Sequence, residues 1–191
     1  MKIRKRSIEF VLACGAFLLA AAASASATTL LRMPVAKMTE TAKVIVRARC
    51  AGNSTSWDAG EIWTFSTFEA QETWKGSLPA RFNVRLLGGR LGNLTSSVSG
   101  VPHFRAGETV ILFLEPTPRG DFSIVGWEEG TFRVKQDARS AEPAVTQDTA
   151  EFATFDPATR RFEAAGIARM PLSAFRALIA EWLPGNTGGR Q

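Results

Sequence analysis

The chain has 191 residues, of which 45% are hydrophobic, and it carries 23 Lys and Arg residues against 18 Asp and Glu residues. This composition is typical of one globular domain and excludes collagen, a long coiled coil and wholesale disorder. Two cysteines are too few for a disulfide framework.

The N-terminal 27 residues have the three parts of a secretory signal peptide. Basic residues lie in Lys2–Arg6, an apolar core runs over Phe10–Ala23, and Ala25–Ala27 matches an Ala-x-Ala cleavage site. The apolar core is shorter than the ~20 residues that a membrane-spanning helix needs. The sequence therefore predicts a cleaved signal peptide over residues 1–27, a secreted or periplasmic protein, and no stable membrane span after cleavage.

Most of the net positive charge belongs to this segment. Cleavage removes four basic residues, all within Lys2–Arg6, and one acidic residue, Glu9. The mature chain is then close to neutral, and nucleic acid is not an expected partner because a polyanion requires clustered Lys and Arg side chains. Cleavage also leaves Cys50 as the sole cysteine, so a hydrophobic core must stabilise the fold without an intrachain disulfide.

The first elements of the mature chain are predicted to be a short helix followed by strands. Pro34 suits the first turn of a helix over Met33–Ala42, and alternating apolar residues indicate a strand over Val44–Ala51. A polar loop is expected over Asn53–Gly60. The run Glu61–Lys75 has apolar residues on both faces, which is typical of a strongly coiled or bulged strand in a small barrel.

Further strands are predicted up to residue 135. Apolar and polar residues alternate around Phe82–Leu86, and Thr109–Leu114 is apolar on both faces, as in a covered central strand. Short strands are expected over Asp121–Val125 and Gly130–Lys135. Because helices and strands do not alternate, these elements predict a mainly β single domain over residues 28–184.

The C-terminal part is predicted to add a hairpin and a helix. Strands over Phe152–Phe155 and Arg161–Glu163 flank a turn-forming Asp-Pro-Ala-Thr segment. Ser173 is expected to cap a helix that ends at Pro184-Gly185. The apolar face that should dock this helix on the sheet consists of Phe175, Leu178, Ile179 and Trp182. Residues 185–191 are expected to be a disordered tail.

No residue pattern specifies a catalytic or metal site. A zinc site needs three or four ligands, and the mature chain has one Cys and one His. His103 lies beside turn residues without a recognisable triad partner, and the buried face assigned to Cys50 favours a structural thiol. The carboxylates expected to be solvated in turns are those of Asp58, Glu61, Glu128 and Glu129. A secreted hydrolase that uses carboxylates or His103 is one alternative, and no cofactor is expected.

Five tryptophans leave a binding function open: Trp57, Trp63, Trp74, Trp127 and Trp182. Small barrels use such side chains to stack sugars or bases, so a glycan-binding module is a second alternative. The competing interpretation is that a small β domain without disulfides needs large side chains for its core. Trp57, within the predicted polar loop, is the best candidate for an exposed contact.

Five segments carry a pattern of strand entries and turns: Ala42–Ala48, Glu72–Gly76, Ser99–Glu108, Val110–Leu114 and Met170–Phe175. They resemble a group of uncharacterised secreted bacterial proteins with an OB-like barrel, distantly similar to the netrin and tissue-inhibitor-of-metalloproteinases domain. The resemblance covers the mature chain to about Lys135 and the start of the C-terminal helix. It implies a small OB-like five-stranded barrel with a docked helix, and it assigns no activity.

The resemblance also implies a binding role. The inhibitor family chelates a protease zinc through an N-terminal cysteine held by disulfides, whereas cleavage here leaves Thr28 first, so no inhibitory residue is carried over. We expect a non-enzymatic accessory protein whose partner is another protein, such as a co-exported peptidase, bound by the loops Asn53–Gly60 and Leu87–Gly100. The candidate binding residues are Trp57, Asp58, Arg90 and His103.

Overall fold

A computed structural model describes residues 30–31, 33–138, 140–147, 154–156, 160–163 and 166–183. The predicted signal peptide over residues 1–27, the predicted tail over residues 185–191 and both ends of the predicted domain lie outside the described residues. Within the described part of the chain, no helix combines the length and the apolar character needed to cross a membrane.

The described residues fold mainly into strands. The elements before a 3₁₀ helix at Trp127–Gly130 are β1 (Leu30–Leu31), α1 (Val35–Thr41), β2 (Val44–Asp58), β3 (Glu61–Lys75), β4 (Arg81–Leu87), β5 (Gly89–Leu91), β6 (Leu94–Ser96), β7 (Thr109–Pro116) and β8 (Phe122–Ile124). The elements after it are β9 (Thr131–Lys135), β10 (Ala144–Thr146), β11 (Thr154–Asp156), β12 (Arg161–Glu163), β13 (Met170–Pro171) and α2 (Leu172–Glu181). The predicted N-terminal helix, C-terminal hairpin β11–β12 and C-terminal helix are confirmed.

Five strands close into a ring in the order β2-β3-β4-β8-β7. Neighbouring strands are antiparallel except β4 and β8, which run parallel. This five-stranded, partly open ring is the OB-like barrel that the sequence predicts. One edge of β7 pairs with β2, and its other edge is shared between β8 and β9, so the predicted strand at β9 lies outside the ring.

Strands β2 and β7 carry apolar side chains on both faces, and each face has its own core. On β2, Val44 and Val46 belong to the inner core of the barrel, whereas Ile45 between them belongs to an outer core. The inner core also contains four phenylalanines, Phe68, Phe82, Phe104 and Phe122. The outer core lies under β9, β10 and both helices and includes Met38, Ile111, Phe113, Phe132, Val145, Phe175 and Ile179.

Strands β2 and β3 are both 15 residues long, and their pairing contains register shifts. Trp74 is the extra residue of one bulge, between the pairs of Ile45 with Lys75 and of Val46 with Thr73. The bulge turns Trp74 to the outer core, where its ring centroid lies 6.2 Å from that of Phe175. The prediction of a bulged strand is confirmed, because the bend re-aims the side chain.

The polar loop predicted over Asn53–Gly60 is wrong. Strand β2 continues through this segment, and the chain turns only at Ala59–Gly60. The polar side chains have partners from distant parts of the chain. Ser66 Oγ donates to Asn53 Oδ1 at 2.7 Å, and Asn53 Nδ2 donates to the Phe104 carbonyl at 2.8 Å. Polarity here marks hydrogen bonds between elements and exposed strand faces, not a loop.

Helix α2 begins at Leu172, with Pro171 in the cap position. Ser173 is therefore not the cap, contrary to the sequence prediction. Its backbone N–H donates instead to Glu142 Oε1 at 2.6 Å, so a side chain from another segment satisfies a donor of the first turn.

The apolar face of α2 docks on the sheet as predicted, but over a shorter length. Phe175 and Ile179 are fully buried, and the Phe175 ring centroid lies 4.7 Å from that of Phe132. Trp182 follows the last helical residue, Glu181, and is 42% exposed. The tryptophan at the end of the pattern therefore does not belong to the core.

Candidate functional site

One side of the barrel is covered and the other is open within the described residues. Strands β9 and β10 and both helices pack on the outer faces of β2 and β7. On β3 and β4, the outward side chains of Trp63, Phe65 and Arg85 are half-buried. We call the outer surface of β3, β4 and β8 that carries these residues the open flank.

A seam crosses the open flank where β4 meets β8. Their ladder is the single pair of Val84 with Phe122, although β4 continues to Leu87. Beyond that pair the strands enclose a cavity of about 170 Å³, which we call the seam cavity. Its walls include Trp63, Arg85 and Leu87 on one side and Ser123, Ile124 and Trp127 on the other.

Arg85 lies at the centre of the open flank. Its guanidinium carbon is 4.1 Å from the centroid of the Trp63 ring and 5.8 Å from that of the Phe65 ring, within cation–π range. Its Nη2 donates to Asp58 Oδ2 at 2.8 Å, which holds the guanidinium over Trp63. Its Nε is 3.9 Å from Asp121 Oδ2, which is too far for a hydrogen bond.

Two N–H groups beside the seam cavity are unpaired. Trp63 Nε1 and Arg85 Nε are buried and have no hydrogen-bond acceptor among the described residues. Leaving a buried donor unpaired is destabilising by roughly 1–3 kcal/mol, so such groups are uncommon in folded proteins. Both groups are donors only, and two further buried donors, Arg47 Nε and Trp74 Nε1, are in the same state on the covered side of the barrel.

Asp58 joins the ends of two hairpins. Its carboxylate accepts hydrogen bonds from Arg119, in the β7–β8 turn, and from Arg85 on β4. These bonds, the one from Arg119 first, hold the pKa of Asp58 below its usual value. The carboxylate is therefore ionised at neutral pH, and it anchors the two arginines rather than transferring a proton.

The four predicted binding residues fall in different places. Trp57 and Asp58 lie together at the end of β2, and Trp57 is 57% exposed. Arg90 is exposed on β5, which packs beside the β2–β3 hairpin. His103 is exposed in the segment before β7, and its carbonyl accepts a hydrogen bond from Arg133 at 3.3 Å. The structure thus brings Trp57 and Asp58 together and places His103 beside a different charged cluster.

Trp57 lines a second cavity of about 320 Å³ at the tip of the β2–β3 hairpin. Leu94 and other residues of the β5–β6 hairpin form one side of it, so the segment Leu87–Gly100, predicted as a loop, is partly strand. Trp57 pairs directly with Ile62 and shares its inward face, whereas Trp63 is on the outward face. The exposed Trp57 ring is thus separate from the open flank.

A second charged cluster surrounds Arg133. Its Nη1 donates to Glu108 Oε1 at 2.5 Å, and its Nη2 donates to Glu128 Oε1 at 3.1 Å. Burial opposes the charge of the guanidinium, but the bonds and charges of these carboxylates outweigh it and raise the pKa of Arg133. The prediction that Glu128 and Glu129 are solvated is wrong: both are 5% exposed, and Glu129 Oε2 accepts the Met33 N–H at 3.0 Å.

Among the described residues, no three His, Cys, Asp or Glu side chains are placed to hold a metal ion together. Cys50 has no exposed surface and lies in the inner core. Burial raises the pKa of its thiol, which disfavours the reactive thiolate. The predicted buried position of Cys50 is confirmed.

The seam cavity was not predicted from the sequence. The sequence contains one signal of an apolar outer face on β3, because Trp63 and Phe65 share a parity opposite to that of the buried Phe68. Arg85 was recognisable only as a residue on a wet strand face. The approach of Trp127 to β4 depends on the parallel closure of β4 on β8, and a local sequence pattern does not encode that closure.

No protein-family model matches the chain, and a search of curated proteins identifies no relative.

Proposed function

We propose that this chain is an exported, non-enzymatic binding protein whose partner is another protein, held at the open flank. The observation that carries the proposal is the seam cavity, whose largely apolar walls include the rings of Trp63 and Trp127. A mostly apolar recess with a few convergent polar groups is the usual form of a ligand site. The signal-like residues 1–27 support the exported location.

A protein partner fits the tryptophans better than a long glycan does. A sugar-binding platform needs aromatic rings side by side on one surface. Here Trp57 is on the inward face of the hairpin, Trp63 lies under Arg85, and Trp74 packs against Phe175. The exposed ring of Trp57 keeps glycan binding as a second candidate function, limited to one stacking contact.

Hydrolysis has less support. A general acid that works near neutral pH needs a raised carboxyl pKa, whereas the pKa of Asp58 is lowered by its two arginine partners. Glu108 and Glu128 both form ion pairs with Arg133. These carboxylates are engaged by cations, as in structural ion pairs.

The partner class that we propose is a co-exported peptidase. This choice follows the resemblance of strand and turn segments to the netrin and tissue-inhibitor domain. Since the predicted cleavage after Ala27 would leave Thr28, and not a cysteine, at the N terminus, the contact would be made by the open flank.

The proposal is tested by capturing partners from the exported fraction of the producing cells with the full chain, tagged at its C terminus. Wild type is compared with Phe65→Ser, which removes a ring from the open flank, and with Trp182→Ser, a matched control on α2. We expect one stoichiometric protein on wild type and control, and at least tenfold less on Phe65→Ser. Calorimetry with the purified partner then measures the direct contact.

Two results would contradict the proposal. Equal retention by all three proteins would place the contact away from the open flank. Retention of polysaccharide without a protein would favour the glycan candidate at Trp57. Export itself is tested by N-terminal sequencing of the released protein, which we expect to begin at Thr28; accumulation of the uncleaved chain in the cytoplasm would refute it.

A further inference from the structure

We draw no further inference here: the strongest candidate, the cavity between the β2–β3 and β5–β6 hairpins that the exposed side chains of Trp57 and Leu94 line, is mostly apolar, and nothing among the described residues shows what covers it.

Discussion

Cys50 lies in the inner core, and its burial also changes the chemistry of its thiol. Its side chain has no exposed surface, and burial raises the pKa of its thiol. We expect the folded protein to resist iodoacetamide and to be labelled rapidly once denaturant is added, as measured by mass spectrometry. A Trp57→Cys variant in a Cys50→Ala background is the control and should react at once. Rapid labelling of native Cys50 would move it from the core to a reactive site.

The same thiol predicts a pH dependence of stability. The pKa of the Cys50 thiol is raised in the folded state, so its protonated form stabilises the fold. This contribution to the free energy of unfolding is complete below the pKa of the unfolded thiol, near 8.5, and is lost as the pH rises through the folded-state pKa. Wild type should therefore lose stability relative to Cys50→Ala when urea unfolding is compared at about pH 7 and about pH 9.5. An equal pH response of the two proteins would show that the thiol titrates alike in both states.

Arg133 is the residue whose loss should disturb the ion pairs most. Its side chain is 13% exposed, and its guanidinium bonds both Glu108 and Glu128. Arg133→Met leaves these carboxylates without that cation, and breaking such a buried network destabilises by about 3–5 kcal/mol. Arg176→Met is the control, because the Arg176 side chain is 61% exposed in its pair with Glu72. This variant should lose less than about 1 kcal/mol of unfolding free energy. If urea unfolding showed the same loss of unfolding free energy for Arg133→Met and Arg176→Met, the structural role of Arg133 would be contradicted.

At the scale of elements, the β5–β6 hairpin depends on a close approach at Gly89. A Cβ at Gly89, where φ is +136°, would lie 2.3 Å from Thr64 Oγ1 on β3. Gly92 at the hairpin turn also has positive φ, +60°, but a Cβ there meets nothing within 4 Å. Backbone strain and overpacking together should destabilise the hairpin in Gly89→Ala by about 3 kcal/mol.

The measurement is hydrogen exchange of the β5 and β6 amides, which reports local opening. We expect exchange to be about 100-fold faster in Gly89→Ala, as about 3 kcal/mol implies, and only slightly faster in Gly92→Ala. Equal acceleration in the two variants would mean that positive φ, and not contact with β3, sets the cost. The cavity beside Trp57 should widen with the same opening, because Leu94 forms one of its sides.

Elements whose burial follows simple parity were predictable from the sequence, and elements defined by partners distant in sequence were not. Phe82–Leu86 is a strand as expected, because its alternation determines which side chains point inward. Thr109–Leu114 is a strand as expected for a different local reason, since its unbroken apolar run is buried on both faces. The second half of β2 was missed, since Asn53 is satisfied by Ser66 and by the Phe104 carbonyl. The seam cavity was missed for the same reason: it exists only after β4 and β8 meet.

At the scale of the whole molecule, the two cores share the same strands. Val46 on β2 and Leu112 on β7 face the inner core, whereas the adjacent Ile45 and Ile111 face the outer core. A strand cannot leave one core without leaving the other. The barrel and the covering layer of β9, β10 and the helices should therefore behave as one cooperative unit rather than as a barrel with a removable cover.

This architecture predicts a single unfolding transition that a lesion in either core shifts as a whole. Phe68→Ala in the inner core and Phe175→Ala in the outer core each remove a fully buried ring. Each variant should have a free energy of unfolding that is lower than that of wild type by about 3–5 kcal/mol. Far-UV circular dichroism and tryptophan fluorescence should give coincident urea curves for wild type and both variants. Two separated transitions in Phe175→Ala, with the strand signal outlasting the fluorescence change, would mean that the barrel folds without its cover.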